Sequence, residues 1–195
     1  MRSSKKNKTL VRMVVLVICL LIALNSRRIL KILYPIHYYD LIVEYAEKYS
    51  LDPYLVASII RNESGFDPEA VSIKGASGLM QIMPLTGEWI AESMGRTDYS
   101  DEILFDPRIN ISLGTWYLNF LYNKFDGDLK LVISAYNAGN GNVRTWLRNS
   151  EYSADGITLN IIPFPETKTY FRRVSRDYKI FKVIYREGIK YLFSD

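Results

Sequence analysis

Glu63 is the side chain whose setting most favours acid–base chemistry. It closes a predicted helix over residues 53–63, behind the mostly apolar run Ala57, Ser58, Ile59 and Ile60. The negative end of the helix dipole disfavours a carboxylate at that position. Partial burial against apolar side chains does the same, and both effects raise the pKa. A carboxylic acid that stays protonated near neutral pH is suited to protonating a leaving oxygen, such as that of a glycosidic bond. Read more plainly, a glutamate near a helix end is a solvated side chain, so Glu63 needs support from elsewhere in the chain.

Three further stretches carry candidate groups. Residues 74–84 read Lys-Gly-Ala-Ser-Gly-Leu-Met-Gln-Ile-Met-Pro. Their two glycines allow close backbone approach, and Gln81 offers both donors and acceptors to a polar ligand. The plain alternative is a tight turn into a buried apolar segment. Residues 134–141 read Ser-Ala-Tyr-Asn-Ala-Gly-Asn-Gly. They present Tyr136 and Asn137 together at the end of a predicted helix, where a simple helix terminus also fits. The glycines there are not followed by the Lys-Ser/Thr of a phosphate loop, which argues against nucleotide binding. Residues 162–170 read Ile-Pro-Phe-Pro-Glu-Thr-Lys-Thr-Tyr. Two prolines fix an extended entry, and Glu166 and Thr167 lie where a last helix begins.

The elements that must position these groups are short helices with explicit start and stop signals. Residues 39–49 place Leu41, Ile42, Tyr45 and Ala46 on one face. Asp52-Pro53 is an N-cap followed by proline at the first helical position, and Gly65 stops that helix. Asp67-Pro68 and Asp106-Pro107 repeat the start signal. Further helices are predicted over 88–94, 107–125, 129–138 (capped by Asp128), 142–148 and 167–185. Residues 157–164 are the best extended candidate. No alternating strand or repeat is found, so the expected fold class is all-α, a multi-helix domain. Trp89, Trp116 and Trp146 fall at core-like helical positions and are expected to pack rather than bind ligand.

The formal net charge of +4 hides an asymmetry: residues 1–31 hold eight Lys/Arg and no acid, and the rest of the chain carries −4. That distribution argues against a nucleic-acid partner. Residues 13–24 are uncharged and apolar behind the basic start, the layout of a secretory signal or signal anchor. Ala23-Leu24-Asn25-Ser26 runs into Arg27-Arg28 with no good cleavage site. An uncleaved membrane anchor over residues 1–33 is therefore expected, with residues 34–195 as the domain on the outer, cell-wall side of the membrane; a cleaved signal with a secreted domain is the alternative. Cys19 is the only cysteine, so no intrachain disulfide and no cysteine metal site exist. No cofactor or metal is expected.

Glu63-Ser64, then Gly78-Leu79-Met80-Gln81, then Ala135-Tyr136-Asn137-Ala138-Gly139, then Pro163-Phe164-Pro165-Glu166-Thr167 with Tyr170 occur in this order. Together they resemble the catalytic domain of soluble lytic transglycosylases, family 23 of the glycoside hydrolases, over about residues 39–185. The resemblance implies a lysozyme-like helical fold. It implies cleavage of the β-1,4 bond between N-acetylmuramic acid and N-acetylglucosamine in peptidoglycan, without water, leaving a 1,6-anhydro end. By position it makes Glu63 the single acid/base. Gln81, Met83, Tyr136, Asn137 and Glu166 would line the glycan cleft, with Ser72 and Tyr170 as supporting contacts. Two other readings stay open: a hydrolytic muramidase resembling goose-type lysozymes, and a non-catalytic wall-binding domain.

Overall fold

The structure is a computed structural model that describes residues 2–185. Residues 186–195, the end of the expected second domain, lie outside the described residues. The fold is helical: α1 (Arg2–Leu33), α2 (Tyr39–Lys48), α3 (Pro53–Glu63), α4 (Pro84–Ser93), a 3-10 turn (Asp101–Phe105), α5 (Pro107–Lys124), α6 (Leu129–Ala138), α7 (Asn140–Arg148) and α8 (Pro165–Tyr185). Among the described residues, β pairing is limited to the isolated bridges Val71–Ser77 and Ser77–Ile82.

The start signals act as expected at three helices. The Asp52 carboxylate accepts from the Tyr54 amide at 2.9 Å, that of Asp106 from Ile109 at 3.0 Å, and that of Asp128 from Lys130 at 2.8 Å. Each satisfies an amide that the first helical turn leaves without a partner. Asp67-Pro68 differs. It starts a turn and no helix, because the Asp67 carboxylate accepts from Glu69 only two residues on and the chain then leaves for the Val71–Ser77 bridge. Helices α4 and α8 begin earlier than predicted, with Pro84 and Pro165 as their first residues. Residues 157–164 form neither helix nor strand, and Leu159 and Ile162 anchor them by burial.

The chain divides into two units. Among the described residues, one comprises residues 2–35 with 183–185, the other Ile36–Lys182. In the first, no single helix among the described residues is long and apolar enough to cross a membrane; Leu10–Ile22 and Leu24–Leu33 meet the length and composition test together, with a bend of 58° between them. In the second, α3 is the centre: Tyr54 through Ile60 are all buried, on every side of the helix. Helix α2 packs on α3 and α5, and α5 in turn packs on α4 and α6. A helix covered all round loses its last-turn carbonyls and side chains to the interior as well. That places Glu63, its final residue, at the edge of the core.

Candidate active site

Four chain segments meet where α3 ends. The segment 77–82 is fixed first. Asn110 of α5 is fully buried, and its amide is fully used. Its oxygen accepts from the Met80 amide at 2.7 Å, and its nitrogen donates to the carbonyls of Ser77 at 3.0 Å and Leu104 at 2.7 Å. Gly78 has φ +75°, and a Cβ there would collide with the Leu104 carbonyl and the Asn110 amide. Only glycine fits both the backbone and the space. Ser64, the residue after Glu63, donates from its hydroxyl to the Leu79 carbonyl at 2.9 Å. The end of α3 is thereby tied to this segment.

Helices α6 and α8 close the site. The Tyr136 hydroxyl donates to the Met80 carbonyl at 2.9 Å. The buried Thr167 hydroxyl donates to the Asn137 side-chain oxygen at 2.7 Å, which joins the first turn of α8 to the end of α6. One turn further along α8, the Tyr170 hydroxyl donates to Glu63 Oε1 at 2.6 Å. The result is a cleft of about 480 Å³ lined by Glu63, Asn137, Glu166 and Tyr170, with Asn62, Thr169 and Arg173 beside them.

The electrostatics follow from this placement. The half-buried Glu63 carboxyl is pushed up from 4.5 to about 7. Withdrawal from water is the main cause; the Tyr170 hydrogen bond opposes it, and the nearby Glu166 carboxylate adds to it. Burial, reinforced by Glu63, holds the Tyr136 and Tyr170 hydroxyls well above their ordinary value. Both therefore remain proton donors across the neutral range.

The expected site residues separate into two groups. Glu63, Asn137, Glu166 and Tyr170 share the cleft. Tyr136, Gln81, Ser72 and Met83 lie outside its lining. Tyr136 spends its proton on Met80, so the hydroxyl bonded to Glu63 is that of Tyr170. Gln81 sits at φ +49°, unusual for a side-chain-bearing residue. Its Nε2 donates to the carbonyls of Ala70 at 3.0 Å and Gly78 at 2.9 Å, leaving only Oε1 for a ligand. The Ser72 hydroxyl accepts from the Ala76 amide at 2.9 Å and shapes that turn. Met83 caps α4 and is exposed.

Some functional residues gave no local signal. Asn62 faces the cleft and donates to the buried Asp177 carboxylate at 3.0 Å. Thr169 and Arg173 follow Glu166 at helical spacing, a signal that was present once α8 was known to start at Pro165. Asn110 is a polar residue on the apolar face of α5, in line with Leu113, Gly114 and Leu118. Among the described residues, no group of three or more His, Cys, Asp or Glu side chains is placed to hold a metal ion.

The family model of the transglycosylase SLT domain matches residues 40–158. The chain belongs to this family. The soluble lytic murein transglycosylase of Escherichia coli is 39% identical over 143 residues, 72% of this chain and 22% of that protein. The membrane-bound lytic murein transglycosylase C of Yersinia enterocolitica is 36% identical over 135 residues, 65% of this chain and 38% of that protein. Among solved structures, an inactive glutamate-to-glutamine mutant of the lytic transglycosylase Slt from Pseudomonas aeruginosa matches with TM-score 0.71 and 35% identity, covering 78% of this chain and 25% of that one. A complex of the 70-kDa soluble lytic transglycosylase with bulgecin A matches with TM-score 0.71 and 35% identity, covering 79% and 25%. This SLT-family chain spans less than a quarter of the length of the soluble curated relatives it matches first. The family match and the fold of the solved relatives agree with the lysozyme-like helical architecture.

Proposed function

We propose that this chain is a peptidoglycan lytic transglycosylase, cleaving between N-acetylmuramic acid and N-acetylglucosamine without water and leaving a 1,6-anhydro end. The observation that carries this reading is the Glu63 carboxyl, half-buried at the end of α3, titrating at about 7 and held by one phenol in an open cleft. Relatives named as lytic murein transglycosylases support it.

A single acid suffices when the sugar supplies the nucleophiles. The Glu63 proton passes to the glycosidic oxygen, the bond from C1 to that oxygen breaks, and N-acetylglucosamine departs as an alcohol. The acetamido oxygen of the muramic residue bonds to C1 and carries the positive charge. The C6 hydroxyl then attacks C1, the acetamido oxygen leaves, and Glu63 takes the hydroxyl proton. The acid is regenerated and no water is consumed. Tyr170 stabilises the carboxylate between the two proton transfers. Asn137 and Glu166 offer an amide and a carboxylate to sugar hydroxyls and the acetamido group.

Glu166 also favours a second reading. It places another carboxylate in the Glu63 cleft, and ordinary glycosidases use two. A water activated by Glu166 would make the enzyme a hydrolytic muramidase. Digestion of purified peptidoglycan, with mass spectrometry of the released muropeptides, separates the two. Anhydro products from the wild type and none from Glu63→Gln support the lytic reading. Reducing-end products heavier by one water support hydrolysis.

The expected division into residues 1–33 and 34–195 becomes part of the same proposal: an uncleaved anchor holds the lytic domain on the cell-wall side of the membrane. In its favour, α1 exposes apolar side chains from Leu10 to Leu33, and Lys/Arg residues lie at both ends of the apolar run. Deletion of residues 1–33 is expected to move the protein from the membrane fraction to the soluble one. Recovery of a shortened soluble form from the full gene product would refute an uncleaved anchor.

A further inference from the structure

Helix α8 buries a stripe of residues spaced three and four apart: Thr167, Tyr170, Val174, Asp177 and Phe181. Val174 and Phe181 are apolar, as a core face requires. The other three are polar, and each meets one side chain that lines the Glu63 cleft. Thr167 donates to Asn137, Tyr170 donates to Glu63, and Asp177 accepts from Asn62. The first two contacts hold groups that the reaction uses. The third serves no step of it, yet Asp177 is the costliest of the three to bury, a carboxylate with 1% of its surface exposed. A buried ion pair adds little stability over apolar side chains of the same size, so packing alone does not account for it.

Both oxygens of that carboxylate are used. Oδ1 accepts from Arg176 Nε at 3.0 Å; Oδ2 accepts from Asn62 Nδ2 at 3.0 Å, with Arg61 Nε 3.6 Å away. Asn62 Nδ2 also donates to the Ser58 carbonyl at 2.9 Å. Both amide hydrogens of Asn62 are thereby spent on acceptors of α3 and α8. The reverse orientation of the amide would set its oxygen against a carbonyl and a carboxylate, so the chemistry fixes which way it lies. What remains is Oδ1, which has no protein donor among the described residues. Asn62 therefore offers the cleft an acceptor and no donor, one residue before the acid. A sugar hydroxyl both donates and accepts, and either kind of group satisfies it. An acetamido nitrogen only donates, and an acceptor without donors is what it needs.

We propose that Asn62 Oδ1 accepts the acetamido N–H of the reacting muramic residue, and that Asp177 is the positioning residue that turns Asn62 to do so. The proposal rests on the lytic reading above and adds how the acetamido group is aimed. A hydrogen bond at the nitrogen leaves the acetamido oxygen free to reach C1. As that oxygen bonds to C1, positive charge spreads onto the nitrogen, and its N–H becomes a stronger donor. The bond to Asn62 is then stronger in the transition state than in the bound sugar, so it acts on kcat more than on KM.

The test follows anhydro-muropeptide release from soluble peptidoglycan strands by the full chain in detergent, with kcat and KM read separately. Asn62→Ala should lower kcat about tenfold to a hundredfold and change KM less than about threefold. Asp177→Ala should do the same. The double variant should be no slower than Asn62→Ala alone, because Asp177 acts through Asn62. Asp177→Asn keeps an oxygen for the Asn62 amide and should recover most of the rate. A merely structural role for Asp177 would lower the unfolding midpoint and leave the kcat of the folded enzyme unmoved. If Asp177→Ala does not fold, Asn62→Ala, which leaves Asp177 with both arginines, carries the test with Asp177→Asn. Anhydro products released by Asn62→Ala at the wild-type kcat overturn the proposal and leave the lytic reading standing, as does a loss confined to KM. Losses in the single variants that multiply in the double variant overturn the role of Asp177. Reducing-end products from the wild type overturn the lytic reading and the proposal with it.

Discussion

Glu63→Gln is expected to abolish activity and to stabilise the fold, with a pH dependence that the site geometry fixes. In the folded protein this carboxyl titrates at about 7 and not at 4.5, chiefly because burial disfavours its charged form. Between those values the native state holds more protons than the unfolded chain, so stability falls as pH rises. Below about 4.5 the carboxyl is neutral in both states and contributes nothing. Above about 7 the native state carries the full penalty. That interval, at about 1.4 kcal/mol per pH unit, comes to about 3 kcal/mol. The cleft is open, so water reaching the carboxylate makes this an upper bound. Glutamine keeps the shape, removes the charge and still accepts from Tyr170. The two proteins should therefore unfold together at pH 4.5 and diverge up to pH 8, where the variant gains at most about 3 kcal/mol, or roughly 6 to 12 °C in Tm. Thermal and urea unfolding at stepped pH measures the difference. A gap that does not change with pH, or a variant less stable than wild type at pH 8, would refute the assignment of Glu63 as a buried acid near neutrality.

Tyr170→Phe removes the donor that favours the ionised form of Glu63. The rate of peptidoglycan release should fall about tenfold or more, and the alkaline limb of the pH profile should move up; an unmoved limb contradicts the Tyr170–Glu63 coupling. Asn110→Leu leaves the Met80 amide and the Ser77 and Leu104 carbonyls buried without their partner. Urea unfolding should show a loss of roughly 2 to 5 kcal/mol, and a loss below about 1 kcal/mol would mean that the segment holds itself. Tyr136→Phe frees the Met80 carbonyl. It should lower stability by about 1 to 2 kcal/mol and lower kcat more than it changes KM, whereas an unchanged rate would confine Tyr136 to the scaffold.

What was legible in the sequence was local chemistry. Asp52-Pro53, Asp106-Pro107 and Asp128 announce helices because cap and proline act within one turn, and the predicted bounds 53–63 and 129–138 coincide with α3 and α6. The same dipeptide at Asp67-Pro68 misleads. An aspartate that can cap a helix can equally close a turn, and only the later Val71–Ser77 pairing decides. The site was legible as motifs but not as contacts. Glu63 and Tyr170 are 107 residues apart, and Asn110 reaches Met80 across 30. No periodicity carries such distances. Which tyrosine bonds to the acid is not legible for that reason, since Tyr136 and Tyr170 both lie near Glu63 and only folding shows that the Tyr136 proton is already taken by Met80.

The geometry also explains why so many polar groups in the motifs do not face the cleft. A carboxyl pushed up to about 7 opposes the fold whenever it ionises, as it must between its two proton transfers. The helix end that carries it gains nothing from its own dipole. It has to be held by contacts that do not depend on the state of Glu63. Ser64 to Leu79, Tyr136 to Met80, Thr167 to Asn137 and the two bonds of Gln81 are of that kind: each joins neutral groups, and none involves the carboxylate. Among the described residues, Tyr170 alone bonds directly to the acid, and it favours the charged form. Substitutions in the first set should therefore lower stability by similar amounts at pH 5 and pH 8. Substitution of Tyr170 should lower it more at pH 8, where the carboxylate it supports is present.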